Sequence, residues 1–258
     1  MDSSRIVAGN GRSLRRAEEG PVGVAAASDQ EGAHRGTTTL IVGSPKPAGG
    51  TSAALGEHLL QGLEERGWVC ISLHALRALR EGVVGKDRLV EAVRSADLVV
   101  LSFPVYVDGL PGSFVEALEV VAAGVGERPP GRLAAIAQCG FPEAVHTEVA
   151  LQMCRLAARE IGLGWAGGLG IGGGGMIDGR PLSQARGAVR KVMSALDLAA
   201  AALARGEDVP EEVVALAARP LVPAWVYRRA GDHNWRRQAK KAGARGLLGH
   251  RPFADGGR

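Results

Sequence analysis

The sequence predicts an α/β protein built on a doubly wound sheet of five parallel strands. From Thr37 onward, short apolar runs alternate with segments of helical periodicity. Three of the runs are almost continuously apolar, as expected for strands that are buried on both faces. The chain has 258 residues, of which 46% are apolar, and this suffices for a large core. Strict alternation of strands and helices favours parallel strands joined by right-handed crossovers.

Five strands and five helices are predicted. The strands are expected at residues 38–42, 69–73, 98–103, 133–137 and 165–171. The helices are marked by apolar residues that share one face, or by longer periodic segments: Leu55, Leu59 and Leu63; Leu89, Val90 and Val93; Phe114, Leu118 and Val121; residues 143–161; and residues 183–204.

The two ends of the chain differ from its middle in composition. Residues 1–36 are rich in Gly, Ser, Ala and mixed charge without sustained periodicity, which predicts a disordered extension. Residues 37–205 form the predicted α/β domain, and residues 206–258 a helical basic tail. The formal net charge is +4, but residues 220–258 alone carry nine Lys or Arg against two Asp. The basic character therefore belongs to the tail.

Several classes of protein are not expected. No apolar run approaches the ~20 residues that span a bilayer, and the first residues lack the apolar segment of a secretory signal. The three cysteines, Cys70, Cys139 and Cys154, cannot form a complete disulfide framework and match no zinc or iron–sulfur spacing. The six histidines are scattered, so no metal site is expected. A reducing cytoplasm is the expected location.

Three loops are the candidate ligand-binding segments. In a doubly wound sheet the ligand binds beyond the carboxyl ends of the strands, where the strand order reverses. This rule selects the loops after the first, third and fourth strands, which are residues 43–52, 104–112 and 138–143.

The first loop, GSPKPAGGTS, leads from a buried strand into an amphipathic helix. It offers hydroxyl groups at Ser44, Thr51 and Ser52 and a cation at Lys46. Together with the N–H groups at a helix N-terminus, these groups are suited to binding a phosphate. The spacing matches neither GxxxxGK[ST] nor GxGxxG. The alternative is that Thr51 or Ser52 is only an N-cap after a turn.

The second and third loops each carry an aromatic residue. Pro104 stiffens the second loop, and Tyr106 can stack on a planar ring; alternatively, Tyr106 caps the core and Asp108 is a turn residue. The third loop contains Gly140 and Phe141. Its backbone N–H groups are expected to reach the polar edge of a heterocycle, unless the loop is an ordinary turn with Phe141 packed inward.

Residues 37–182 resemble the flavodoxin-like NAD(P)H-dependent FMN reductases and the related quinone reductases. The GSP start of the first loop and its Thr-Ser pair look like the family's FMN-phosphate loop. The segment FPVYVDGLPG resembles its P-x-Y-x-x-x-x-P loop, and CGFPE resembles its third flavin-contacting loop. The resemblance implies strand order 2-1-3-4-5, FMN as cofactor and NAD(P)H as co-substrate. It also implies a quinone, flavin or nitro compound as the small-molecule acceptor.

The resemblance also assigns site residues. It implies that Ser44, Lys46, Thr51 and Ser52 hold the phosphate, that Pro104, Val105, Tyr106 and Val107 border the ring, and that Cys139, Gly140 and Phe141 approach its other edge. Many family members have an Asn where this chain has Gly50, and the missing amide donor is expected to weaken phosphate binding. No catalytic side chain is expected, because FMN carries the hydride and electron transfer. A homodimer is expected, since the partner chain commonly closes the flavin site in this family.

Two further segments leave alternatives open. The glycine-rich run 167–175 is interpreted as a flexible connection after the fifth strand; alternatively, it admits a nicotinamide or quinone close to the backbone. Residues 223–246 interleave Trp225, Tyr227 and Trp235 with paired cations. We favour a solvated helix whose tryptophans pack on the domain or on a partner subunit, place contact with an anionic membrane second, and do not expect nucleic acid.

Two functions compete with an FMN-dependent oxidoreductase. One is a non-enzymatic electron carrier or flavin sensor that docks through the basic tail. The other is a degenerate fold without a cofactor, which only Gly50 suggests.

Overall fold

A computed structural model describes residues 35–46, 49–127, 131–177, 179–184 and 187–251. In this part of the chain five parallel strands form one sheet of order β2-β1-β3-β4-β5. The strands are β1 (Thr37–Val42), β2 (Val69–His74), β3 (Leu98–Pro104), β4 (Arg132–Gln138) and β5 (Gly164–Ile171). The fold class and strand order predicted from the sequence are confirmed.

Helices cover both faces of the sheet. They are α1 (Thr51–Glu64), α2 (Ala75–Arg80), α3 (Gly82–Arg94), α4 (Gly112–Gly124), α5 (Glu148–Ile161), α6 (Arg190–Ala204), α7 (Glu211–Ala217) and α8 (Ala224–Lys241). Short 3-10 turns lie at Ala144–Thr147, Gly174–Met176, Leu182–Gln184, Gly187–Val189 and Arg245–Leu247. None of the described helices combines the length and the apolar character needed to cross a membrane.

The core consists of two apolar layers, one on each face of the sheet. The side chains of α1, α6 and α7 form one layer, and those of α2 to α5 form the other. Successive residues of the central strand β3 alternate between them: Val100 belongs to the first layer, whereas Val99 and Leu101 belong to the second. This double burial explains the continuous apolar run from which β3 was predicted.

Three helix predictions differ from the structure. Two helices, α2 and α3, connect β2 to β3 where one was predicted, because Gly82 has a positive φ of 67° and interrupts the helical segment. The fourth predicted helix begins as a 3-10 turn, and α5 starts only at Glu148. The fifth begins at Arg190, after two 3-10 turns, and Gly187 in the second turn has a φ of 64°.

The α/β domain extends past the predicted boundary at residue 205. Val213 and Ala217 of α7 are buried in the core, and the Val209 N–H donates to the Ala166 carbonyl of β5 at 2.8 Å. The segment up to Ala217 is therefore part of the domain and not of the tail. At the other end, the Arg35 N–H donates to the Gly67 carbonyl at 3.0 Å. The rest of the predicted N-terminal extension, residues 1–34, lies outside the described residues.

Candidate active site

A cleft of about 210 Å³ opens at the carboxyl ends of β1, β3, β4 and β5. It brings the three predicted loops together and includes eight of the eleven predicted site residues. Its lining is Ser44, Lys46, Thr51, Ser52, Pro104, Val105, Tyr106, Gln138, Gly140, Gly174 and Gly175. Val107, Cys139 and Phe141 were predicted but do not line it.

The start of α1 forms one end of the cleft. Gly50 is the N-cap residue, with extended backbone (φ −95°, ψ 162°) and no side chain to cap the helix. The interpretation of Thr51 or Ser52 as the N-cap is therefore wrong. Among the described residues, nothing accepts a hydrogen bond from the backbone N–H groups of Thr51, Ser52 and Ala53. Free N–H groups at the positive end of a helix are suited to binding an anion.

The hydroxyl group of Thr51 is engaged within the protein. Its Oγ1 atom lies 3.1 Å from the Gly174 carbonyl oxygen and 2.5 Å from that of Ile177, and a hydroxyl can only donate to such acceptors. Thr51 therefore ties the segment after β5 to the first loop. Its backbone N–H, and not its hydroxyl, is the donor left for a ligand.

The two serines of the first loop are buried beside the cleft. Ser44 Oγ accepts the Lys46 N–H at 3.2 Å, and Ser52 Oγ accepts a long bond of 3.5 Å from Gln138 Nε2. Both serines act as acceptors in these bonds, so their hydroxyl protons stay available to an anion. The Lys46 side chain is exposed at the rim of the cleft.

The second loop is a tight two-residue hairpin that supports Tyr106. Tyr106 and Gly109 exchange backbone hydrogen bonds of 3.0 and 3.1 Å, and Val107 and Asp108 between them have φ of 50° and 59°. Positive φ is strained for a β-branched residue. The Val107 side chain is fully exposed and points away from the cleft. Tyr106 is half-exposed in the cleft wall and does not cap the core.

Beyond Gln138, where β4 ends, the third loop reaches the cleft through Gly140. Cys139 is buried with its Sγ 3.4 Å from the Glu143 carbonyl oxygen, and this burial raises the pKa of its thiol. Phe141 is 58% exposed, with its ring centroid 4.4 Å from that of His146, so the interpretation with Phe141 packed inward is wrong. The Gly140 carbonyl accepts a hydrogen bond from the hydroxyl of Tyr227 on α8.

Three residues of the lining were missed from the sequence: Gln138, Gly174 and Gly175. They belong to the end of β4 and to the segment after β5. A Cβ on Gly174 would overlap Oε1 of Gln138, one on Gly172 the backbone carbonyl of Pro142, and one on Gly170 the hydroxyl of Thr147. The run is therefore a closely packed edge and not a flexible connection. The density of glycines in this run was the sequence feature that could have identified it. The segment after the fifth strand was not among the three loops selected as candidate ligand-binding segments.

Other features of the described chain offer less. A larger cavity of about 450 Å³ lies beside the end of β2 and contains Arg77 and Arg88, but both arginines pair with Glu81. Burial raises the pKa of Cys70 to about 11 and that of Cys154 to about 12, which disfavours thiolate chemistry. Within the described ranges no three His, Cys, Asp or Glu side chains are placed to bind a metal ion.

The chain was compared with known proteins. Residues 37–162, which include all three loops, match the family model of the NADPH-dependent FMN reductases. A solved apo structure of an NADH:FMN oxidoreductase aligns with 73% of this chain and 96% of its own, at 17% identity and a TM-score of 0.52. An NAD(P)H:quinone oxidoreductase from Methanothermobacter marburgensis aligns with 65% of this chain and 96% of its own, at 15% identity and a TM-score of 0.48.

A flavodoxin from Streptococcus pneumonia TIGR4 aligns with 66% of this chain and 99% of its own, at 12% identity and a TM-score of 0.47. No curated protein is similar enough in sequence to count as a relative. The family match covers the strands β1 to β4 and every predicted site residue. Residues 37–162 therefore form a domain of the NADPH-dependent FMN reductase family, which is a family of oxidoreductases.

Proposed function

We propose that the protein binds FMN in the cleft and transfers electrons from NAD(P)H to a small acceptor, namely a quinone, a flavin or a nitro compound. One observation carries this proposal. The cleft joins an anion-binding helix N-terminus to a wall suited to a planar ring. The match to the FMN reductase family supports the same cofactor.

The first end of the cleft fits a phosphate. The N–H groups of Thr51, Ser52 and Ala53 are unpaired among the described residues, and the dipole of α1 favours negative charge there. The hydroxyl groups of Ser44 and Ser52 lie in the lining, and the Lys46 cation at the rim balances part of the phosphate charge.

The other end fits a flat heterocycle. Pro104, Val105 and Tyr106 give an apolar wall, and the glycines on the opposite side present only backbone. The N–H groups of Gly140 and Gly175 have no partner among the described residues, so they can donate to the polar edge of a ring. The Cys139 N–H is not available, because it donates to the Ile171 carbonyl at 3.0 Å.

The chain's own residues bind, orient and shield. FMN, when bound, supplies the acceptance and release of hydride or electrons. The apolar wall excludes water from one face of the ring, while the helix N-terminus fixes the position of the phosphate. Lys46 is the only Lys, Arg, His, Asp or Glu among the described residues that line the cleft, so no side chain is assigned a proton-transfer role.

A visible spectrum of the purified chain tests this proposal. The protein is supplemented with FMN, desalted and measured before and after anaerobic addition of NADPH or NADH. We expect a retained yellow chromophore that bleaches. A chromophore that is retained but does not bleach would indicate an electron carrier or flavin sensor instead of an enzyme. A colourless protein after desalting would refute FMN binding itself.

We also propose that a second copy of the chain covers the cleft. Four apolar side chains in the second and third loops, in the 3-10 turn Ala144–Thr147 and in α5 are each more than half exposed: Val107, Phe141, Val145 and Val149. Analytical ultracentrifugation should give a dimer, and V149D should give a monomer. A wild-type monomer with bound FMN would contradict this assembly without affecting the cofactor site.

A further inference from the structure

The C-terminal helix α8 contributes no buried side chain to the core of the fold. None of its 18 residues is buried, whereas α7 just before it contributes Val213 and Ala217 to the core. Helices that stabilise a domain do so by burying one face. The sequence of α8 is therefore not explained by packing against this chain.

The net charge of α8 is strongly positive. It carries six Arg or Lys residues against a single acid, Asp232. Arg245 and Arg251, which follow it, are exposed as well. Such a density of positive charge complements an anionic surface.

Large apolar side chains are exposed among these cations. Trp225 is 63% exposed, Trp235 68%, Leu247 64% and Leu248 54%. Phosphate groups of a nucleic acid do not require leucines beside the cations, whereas the interface of a bilayer accommodates tryptophan and leucine next to Arg and Lys. The composition of this surface therefore favours lipid over nucleic acid.

The helix places its two tryptophans and three of its six Arg and Lys residues on the same side. At 3.6 residues per turn, Trp225, Arg228, Arg229, Trp235 and Arg236 fall within an arc of about 120°. Asp232 lies within the same arc. Tyr227 lies on the far side of the helix, where its hydroxyl donates to the Gly140 carbonyl in the cleft lining.

We propose that α8 and the following turn dock the protein on an anionic membrane surface. Tryptophan and leucine side chains enter the interface, and the arginines and lysines contact lipid phosphate and carboxylate groups. Because Tyr227 attaches the opposite side of α8 to the cleft, the rim of the cleft lies about one helix diameter, ~10–12 Å, from that surface.

Vesicle flotation of the full chain tests the proposal without reference to FMN. We expect the protein to float with vesicles that contain equal amounts of phosphatidylserine and phosphatidylcholine, and not with phosphatidylcholine alone. Added salt should release it, because the charge contribution is screened. Removal of one basic residue lowers such binding about fivefold, so R229Q/R236Q should weaken it about 25-fold.

Two further variants control this experiment. R155Q/R159Q removes two exposed arginines from α5 and should leave flotation unchanged. W225A/W235A keeps the charge and should also weaken flotation, since the apolar anchors are lost. Circular dichroism confirms that each variant is folded.

Three results would overturn the proposal. They are the absence of binding to either vesicle, equal binding to both, and equal weakening by the α5 control. If the protein bound neither vesicle but bound a DNA or RNA duplex tightly, the basic surface of α8 would be assigned to nucleic acid instead.

Discussion

The two walls of the cleft differ in whether they depend on the chemical groups they present or on the absence of side chains. The first loop and α1 form a wall that acts through the groups it presents, namely free N–H groups, serine hydroxyls and the Lys46 cation. The segment after β5 forms a wall that depends on the absence of side chains, since a Cβ on Gly172 or Gly174 would overlap its neighbours. Substitutions on the first wall should therefore change ligand affinity, and those on the second should change stability.

The largest effect is expected on the glycine wall. G172A places a methyl group against the Pro142 carbonyl, which cannot move without displacing the third loop. We expect a loss of about 2–3 kcal/mol in the free energy of unfolding, measured by urea denaturation.

G140A is the matched control for this change. A Cβ on Gly140 meets no atom within 4 Å, so stability should stay unchanged while the added methyl group enters the cleft and weakens FMN binding. Equal stability of both variants would show that the glycine wall is not tightly packed.

T51V tests the link between the two walls. The valine keeps the shape of Thr51 but leaves the carbonyl groups of Gly174 and Ile177 without its hydroxyl donor. We expect a loss of about 1–2 kcal/mol in stability, with weaker FMN binding because the two walls separate. Fluorescence titration with FMN and urea denaturation measure both effects. T51S, which keeps the hydroxyl, should restore most of the loss.

K46Q should change affinity without changing stability. The exposed Lys46 cation at the cleft rim contributes an exposed ion pair to the phosphate, worth about 1 kcal/mol or about fivefold in the FMN dissociation constant. K191Q on α6 removes another exposed lysine and should leave the constant unaltered. If K46Q bound FMN as tightly as the wild type, Lys46 would not contribute to phosphate binding.

G50N is expected to give only a small gain in stability. The backbone of Gly50 is already extended, and a Cβ there would make only ordinary contacts, the nearest with Ser44 Oγ at 3.7 Å. An asparagine side chain can cap α1 for a few tenths of a kcal/mol and adds an amide donor beside the phosphate position. FMN should bind several-fold more tightly in titration. Weaker binding would indicate that the new side chain occupies the anion site.

The fold could be predicted because the signals for it are local. The apolar runs of β1, β3 and β4 and the helical periodicity between them depend only on neighbouring residues. The rule that ligands bind at the carboxyl ends of strands then selected loops that do meet in one cleft. The helix α2 was missed because its six residues are too few for a periodic signal.

Side-chain direction in the site could not be predicted in the same way. Val107 and Tyr106 are neighbours, yet the hairpin turns one outward and the other into the cleft wall. The engagement of Thr51 with Gly174 joins residues 123 positions apart, which no local pattern reports. Gln138 lies in the lining because β4 ends there, and its Nε2 donates to Ser52 Oγ, which lies 86 positions earlier in the chain.

The hydrogen bond between Tyr227 and Gly140 has a thermodynamic consequence. It joins a surface helix to the lining of the cleft, so any event on α8 that displaces Tyr227 alters the free energy of the Gly140 backbone. Linkage between two sites is reciprocal. If a ligand bound to α8 changes the affinity of the cleft for FMN through this hydrogen bond, FMN in the cleft changes the affinity of α8 for that ligand by the same factor. A titration of α8 ligands with and without FMN would therefore measure one coupling free energy from either side.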